Sequence, residues 1–295
     1  MAETNAFHPE LRRLARFMPR RSLTRRSIPV TRVLDRLVPA RRGVESLILT
    51  SGRRMRLCRP PVSHATPGAL LWIHGGGYVV GRPEQSDDFC LRLSRELGIT
   101  IAAPQYGLAP EHPYPEGLGD CYAALKWLMS LPAVDPGRVA IGGESGGGGL
   151  AAALAFMVRD RGEIPVVLQL LNYPMLDDRA VANPASVHNY RLWNEGSNRL
   201  AWQLYLDGAD PDVAVPARRT DLAGLPPAWI GVGTEDFFHR ECVAYAERLT
   251  QSAVPCHLEV VPGAFHVFDR VAPKASVSRA YFASQCDALR GALGL

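Results

Sequence analysis

The chain has 295 residues, 47% of them hydrophobic and 21% charged. That composition suits one large α/β domain with a buried core, or two small domains, and excludes a disordered chain. No apolar run of about 18 residues appears, which excludes a membrane-spanning helix, and the N-terminus lacks the positive-then-apolar pattern of a secretion signal.

The formal charge of +4 is unevenly spread. Residues 1–42 hold eleven Arg against Glu3, Glu10 and Asp35, a net +8, so the remainder carries −4. A basic arm is compatible with nucleic acid, an anionic membrane or organelle targeting. The plainer reading is a solvated helical face. In "FHPELRRLARFMP", Leu11, Leu14 and Phe17 recur at helical spacing, which predicts packing as well as charge. Arg dominates throughout, since Lys126 and Lys274 are the only lysines. Cysteines stand at 58, 90, 121, 242, 256 and 286, with no CxxC pair and no zinc-like Cys/His spacing. Cys90, Cys121 and Cys286 sit in apolar helical contexts and are expected in the core. Free thiols predict a cytoplasmic protein.

From residue 45 the elements alternate. "ESLILTS" and "RMRLCRP" read as two strands joined by a Ser-Gly turn, followed by the buried run "ALLWIH". "DDFCLRLSREL" has a helical period, "GITIAAPQY" is a strand, and "GLGDCYAALKWLMSL" is a helix. "RVAIGGES" and "GGGGLAAALAFMVRD" form a strand and helix, and "PVVLQLLNYP" is a strand. "PAWIGVGTED" and "RECVAYAERLTQS" repeat the pattern, as do "PCHLEVVPG" and "KASVSRAYFASQCDALRGAL". This order predicts an α/β fold with a mostly parallel sheet of about eight strands covered by helices on both faces. Two segments interrupt it. One is the N-terminal arm. The other runs from about Asp178 to Pro216 and includes "NRLAWQLYLDG", an amphipathic helix ended by Gly208. An insertion of this length between core strands is expected to act as a lid. The expected division is a cap segment 1–44, core 45–177, cap insertion 178–216 and core 217–295.

The stretch "VAIGGESGGGGL" decides the chemistry. A phosphate loop of the GxxxxGK[ST] type needs a Lys that is missing here. A dinucleotide fingerprint would place the charge of Glu144 against the pyrophosphate, and the next strand ends in Asn172 and Tyr173 rather than an acid. Gly143-Glu144-Ser145-Gly146-Gly147 instead fits G-x-S-x-G where a strand meets a helix, the setting of a nucleophile elbow. Ser145 is then the candidate nucleophile, with Gly143 and Gly147 letting neighbouring backbone pass closely. Gly148 and Gly149 are expected to let the helix pack close to the sheet.

Upstream, His74-Gly75-Gly76-Gly77 follows a buried strand, and its bare amides, with that of Gly146, suit an oxyanion hole. Such a hole is worth about 10²–10³ in rate per donor. Downstream the histidines are 188, 239, 257 and 266. His266 follows the last strand and is the expected base. His257 lies inside a strand, His188 in the expected lid, and His239 at a helix start. Asp236 ends a strand at the same sheet edge and is the expected orienting acid, with Glu235 as the fallback; Asp210, Asp212 and Asp221 belong to the lid or its exit. These groups suit acyl transfer to serine followed by hydrolysis, with no cofactor and no metal.

With HGGGY at 74–78, "QYGLAPEHPYPEGLGDC" at 105–121, GESGG at 143–147, "YPMLD" at 173–177, "GTEDFFHRE" at 233–241 and "GAFHVF" at 263–268, the chain resembles the hormone-sensitive lipase family of α/β-hydrolases, the bacterial family IV esterases. The resemblance implies a carboxylic ester hydrolase acting on short to medium acyl chains, with Ser145, Asp236 and His266 as its triad. It implies oxyanion donors at Gly76, Gly77 and Gly146 and a cap built from the N-terminal helices and the insertion, which accounts for the basic arm without nucleic acid or stable membrane insertion. An edge-strand homodimer is a family-level expectation. The same machinery would serve amide, formamide or lactone hydrolysis, and a non-catalytic ligand-binding module is a further alternative on this fold. The chain departs from the family at Gln105 and Gly107, where Asp and Arg are common in a motif supporting the oxyanion loop. It departs also at Glu144 and Gly146 of the elbow, commonly Asp and Ala, and at Phe237, where Pro is usual.

Overall fold

The computed structural model describes residues 6–20, 23–50, 52–60 and 68–295. Among these residues eight strands form one sheet: β1 (Val44–Ile48), β2 (Arg54–Cys58), β3 (Ala69–Ile73), β4 (Thr100–Pro104), β5 (Val139–Glu144), β6 (Gln169–Asn172), β7 (Ala228–Gly233) and β8 (Cys256–Val261). Their order is β1-β2-β4-β3-β5-β6-β7-β8. β2 runs antiparallel to both its neighbours, and every pairing from β4 to β8 is parallel. Residue Ser51 of the expected Ser-Gly turn lies outside the described residues.

The strand sequences explain the order. "ALLWI", "TIAAP" and "VAIGGE" are buried at every position, as strands covered on both faces must be. At the edges, β1 is exposed or half-buried throughout and β8 is half-buried over most of its length. Helices α3 (Asp87–Leu97) and α9 (Ser276–Leu293) pack together and against the sheet, and α4 (Glu116–Met129) and α5 (Gly146–Arg161) form a second packed pair against it. α8 (His239–Gln251) covers β7 and β8. α3 ends where Gly98 takes a left-handed conformation at its C-cap, the usual glycine stop. The salt bridge Arg56–Asp87, at 2.7 Å and almost wholly buried, ties β2 to the start of α3. Cys90, Cys121 and Cys286 are buried as expected, as are Cys58 and Cys242, and all six thiols are free.

The two segments outside the alternation meet each other. The arm contains α1 (Arg12–Ala15) and α2 (Ser27–Asp35). The insertion contains α6 (Glu195–Leu206), capped at its N-terminus by the Asn194 side chain, and α7 (Pro211–Ala214). α6 ends at Leu206 with Asp207 itself left-handed, one residue before the expected Gly208. The Arg191 guanidinium donates to the Ala15, His188 and Tyr190 carbonyls and lies 4.8 Å over the Phe7 ring. Leu23 donates its amide to the Ser197 hydroxyl, and Leu192 donates to the Pro19 carbonyl. The expected packing of the basic arm holds only in part: Leu11 is buried and Leu14 half-buried, but Phe17 is 76% exposed. Phe17 lies beyond the end of α1, where helical spacing no longer dictates its direction.

Candidate active site

Because β3, β5, β7 and β8 run parallel, the loops after them emerge at one edge, where open α/β sheets bind their ligands. Ser145 follows β5 directly, with φ 54° and ψ −122°. That strained backbone costs about 1–3 kcal/mol in an ordinary residue and persists only where its surroundings hold it. Here the Ser145 amide donates to Asn172 O at 2.9 Å, and its carbonyl accepts from the Gly149 and Met175 amides at 3.0 Å each. A Cβ on Gly147 would collide with the Ile73 and His74 carbonyls, so only glycine lets the elbow sit against β3. Gly148 and Gly149 meet the expectation in part. A Cβ on Gly148 would come 3.2 Å from the Gly143 carbonyl of β5, but the nearest neighbours of the two glycines are Pro174 and Met175 in the loop after β6 and the Tyr78 hydroxyl.

His266 donates from Nδ1 to Asp236 Oδ2 at 2.8 Å, and its Nε2 lies 3.1 Å from Ser145 Oγ. All three residues are buried. The other Asp236 oxygen accepts the Phe238 amide at 2.9 Å, which fixes the carboxylate plane. The fallback Glu235 points elsewhere, accepting from Asn189 Nδ2 at 2.8 Å. His188 and His257 are exposed, the latter 3.3 Å from Glu259, and neither they nor His239 reaches the serine. Asp210 caps α7, and Asp221 pairs with Arg159 and Arg219.

The β7 and β8 loops must lie close for Asp236 to reach His266. Gly233 permits this, since a Cβ there would strike the Ala264 carbonyl. Thr234 and Glu235 donate their amides to the Val261 and Ala264 carbonyls, and the Thr234 hydroxyl accepts from the Gly263 amide. The N-terminal arm supports the same loop. His8 donates its amide to Gly263 O at 2.9 Å, and Phe7 meets the Phe265 ring edge-on at 6.1 Å. Nothing in the sequence pattern announced that contact, because it joins residues more than 250 positions apart.

The His74–Gly77 loop arches beside Ser145. Among the described residues, the amides of Gly76 and Gly77 have no intramolecular acceptor. That of Gly146 stands at the first position of α5, where a helix leaves its amides unpaired. Gly146 lies hard against this loop: a Cβ there would be 2.8 Å from Gly77 N and 2.9 Å from Gly77 Cα. The loop is anchored by His74, which is buried and stacked on Tyr106 with ring centroids 4.3 Å apart. His74 Nδ1 donates to Gly75 O at 2.8 Å, while the Tyr106 hydroxyl donates to His74 O at 3.1 Å. Burial pulls the His74 imidazole down to about 4, against the opposing influence of the Gly75 bond. Gln105 accepts from Arg54 Nε at 3.1 Å. At Gly107 the space of a side chain is taken by the Arg53 guanidinium and by His112, and Arg53 in turn pairs with Asp120 at 3.0 Å. An arginine from the β2 hairpin thus occupies the place that a residue at 107 would fill.

A second charged group borders the elbow and lines the same cavity. Glu144 accepts from Arg270 at 3.0 Å and from the Ser86 hydroxyl at 3.3 Å, so its charge is paired beside the serine. Asp269 accepts from the Tyr173 hydroxyl at 2.9 Å, and the Tyr173 ring stands edge-on to His266 at 4.9 Å. Burial lifts the Asp269 carboxyl to about 6, against the pull of Arg270. Glu241 on α8, also buried, holds the loop after β6 by accepting the Leu176 amide at 2.6 Å. The only hint available in the sequence was that these charges flank the motif residues.

Above Ser145 and His266 lies a cavity of about 930 Å³. Leu23 and Thr31 from the arm and Leu192 and Trp193 from the insertion wall one side, and Phe89, Arg92 and Phe282 line another. Of the insertion aromatics, Trp193 borders the cavity. Trp202 and Tyr205 pack on Tyr78, and Tyr190 packs on Phe237.

The fold and this constellation place the chain in a known class. It belongs to the α/β-hydrolase family, in the hormone-sensitive-lipase-like branch: a family model described as alpha/beta hydrolase fold matches residues 70–270. It is 33% identical to Carboxylesterase NlhH of Mycobacterium tuberculosis over 225 residues, covering 72% of this chain and 70% of the relative. It is 35% identical to Ethyl acetate hydrolase of Pseudomonas putida over 234 residues, covering 74% and 71%. Among solved structures, a Bacterial Heroin Esterase superposes with a TM-score of 0.87 at 34% identity, covering 98% of this chain and 99% of that one. The esterase LipW from Mycobacterium marinum superposes at 0.85 with 31% identity, covering 98% and 96%. The chain is a carboxylic ester hydrolase.

Proposed function

We propose that Ser145, His266 and Asp236 carry this hydrolysis, and that the preferred substrates are esters of short to medium acyl chains. The observation that supports the assignment is the unbroken line Asp236 Oδ2, His266, Ser145 Oγ at 2.8 and 3.1 Å, opening on the cavity. With Nδ1–H donated to Asp236, Nε2 is free to take the serine proton. Oγ then attacks the acyl carbon, and the carbonyl electrons move onto oxygen, where the Gly76, Gly77 and Gly146 amides receive them. Collapse of this intermediate expels the alcohol, which takes the proton from Nε2. A water then gives its proton to Nε2, attacks the acyl-enzyme and releases the acid as the proton returns to Ser145 Oγ. Gly75 positions the loop by accepting from His74.

In this reading the arm and the insertion are the cap, and the cavity they wall holds the acyl and alcohol groups. The name of the Pseudomonas putida relative, an ethyl acetate hydrolase, favours the short end of the range. The free thiols favour a cytoplasmic setting; among the described residues no helix is long and apolar enough to cross a membrane. The test is Ser145→Ala assayed on p-nitrophenyl butyrate. We expect kcat to fall by about 10⁴–10⁶, with organophosphate labelling of Ser145 in the parent and none in the variant. Retention of most of the activity would remove Ser145 from the mechanism, and a chain-length series of p-nitrophenyl esters fixes the acyl preference.

A further inference from the structure

Helix α2 is packed with its apolar side outward. Ile28, Thr31, Arg32 and Asp35 share the inward face: Ile28 and Asp35 are buried, Asp35 accepts the Gly81 amide at 2.9 Å, and Arg32 donates to the Val79 and Ala109 carbonyls. On the opposite side Val30, Val33 and Leu34 share one face of α2 at the i, i+3, i+4 spacing, and Leu37 follows just beyond the helix end. They are 60, 56, 58 and 72% exposed. Solvent-exposed apolar residues are ordinary when scattered; three on one helix face with a fourth just past its end are not.

Charge surrounds the stripe. At 100° per residue, Arg26 falls on the stripe side of the helix and Arg25 and Arg36 fall along one border. Arg25, Arg26, Arg36 and the nearby Arg42 are exposed, and none has a carboxylate partner among the described residues. By contrast, Arg32 and Arg41 are paired, with Glu111 and Asp88. The same segment supplies Leu23, Thr24, Ser27 and Thr31 to the wall of the cavity above Ser145. The surface therefore adjoins the site.

We propose that the outward face of α2 docks the protein peripherally on an anionic lipid–water interface. Apolar side chains enter the boundary between headgroups and acyl chains, and the arginines meet the lipid phosphates, as in interfacial amphipathic helices. Charge argues against the competing occupant, a second copy of the chain, because facing α2 helices would oppose unpartnered arginines to one another. Docking brings the cavity wall to the surface where sparingly soluble esters concentrate. It does not depend on which residues perform the chemistry.

The test is flotation of the full-length protein with vesicles of phosphatidylcholine alone and of equal parts phosphatidylcholine and phosphatidylglycerol, read without any substrate. The protein should float with the anionic vesicles, not with the neutral ones, and should be released by high salt. Replacing Arg25→Gln, Arg26→Gln and Arg36→Gln together should weaken binding about a hundredfold, at roughly 1 kcal/mol per charge. The triple change Val33→Ser, Leu34→Ser and Leu37→Ser should also abolish flotation while leaving hydrolysis of soluble p-nitrophenyl butyrate unchanged. Equal binding to both vesicle types, binding to neither, or binding that survives both triple variants overturns the proposal. So does a dimer of the parent protein that either set of substitutions converts to monomer, since the stripe would then belong to a second copy. The parent comparison across lipids and salt stands even if a variant fails to fold, and loss of the ester hydrolase reading would show in the butyrate assay rather than in flotation.

Discussion

At the scale of single residues, Gly146 separates this elbow from the family pattern. An alanine is common at this position, yet here the Gly75–Gly77 loop leans so close that a Cβ would lie 2.8 Å from Gly77 N. Gly146→Ala should displace the Gly76–Gly77 amides by several tenths of an ångström without disturbing the sheet. Misplacement on that scale costs up to about 10² in rate. We expect kcat on p-nitrophenyl butyrate to fall by about 10–100-fold with the melting temperature nearly unchanged; an unaltered kcat would mean that the loop yields freely. Gly147 should behave differently. Its neighbours are the Ile73 and His74 carbonyls, which cannot rotate away, so Gly147→Ala should fail to fold stably, seen as loss of soluble expression or a strongly lowered melting point.

At the scale of elements, two buried titrating groups flank the site and act on stability with opposite signs. His74 is pulled down to about 4, below its usual 6.5. Its contribution is complete above pH 6.5 and is lost as pH falls from there toward 4, because the unfolded chain takes up the proton first. Asp269 is lifted to about 6 from about 3.8. Here the folded chain takes up the proton first, so stability rises as pH falls through 6. Between pH 7 and 5 the first effect removes about 2 kcal/mol and the second returns about 1 kcal/mol. Asp269→Asn should therefore show a steeper loss of urea stability from pH 7 to pH 5 than the parent, and His74→Gln a shallower loss or a gain. Parallel pH dependence in all three proteins would contradict these shifts.

At the scale of the whole molecule, the arm and the insertion are joined by Arg191, whose buried guanidinium is satisfied by carbonyls of both segments. Arg191→Ala would strand those carbonyls and loosen the wall that Leu23, Leu192 and Trp193 build over the cavity. Hydrogen bonds to a charged group are worth about 1.5–3 kcal/mol each, and such losses are among the larger effects of single substitutions. We expect a fall of about 3 kcal/mol in stability and a raised KM, with kcat changing less; an unchanged KM would show that the wall does not bind substrate. The arm also reaches the far side of the sequence, since Phe7 and His8 brace the loop that carries His266.

Much of this was legible in the sequence because it is local. Strand and helix periods, the glycines of the elbow and the position of Asp236 and His266 just after strands are properties of short windows, and parallel strands bring their C-terminal loops to one edge. What only the tertiary structure decided involves residues distant along the chain. It turned the Asp236 carboxylate to His266 and the Glu235 carboxylate to Asn189. It paired Glu144 with Arg270 and put the Arg53 guanidinium in the space beside Gly107. It also turned the apolar stripe of α2 outward, the reverse of what its spacing alone suggests, because the arm found its partners in Gly81, Val79 and Ala109 through polar groups. A periodic pattern specifies that a face exists; which way that face points is settled by the hydrogen bonds and charges that the rest of the fold presents to it.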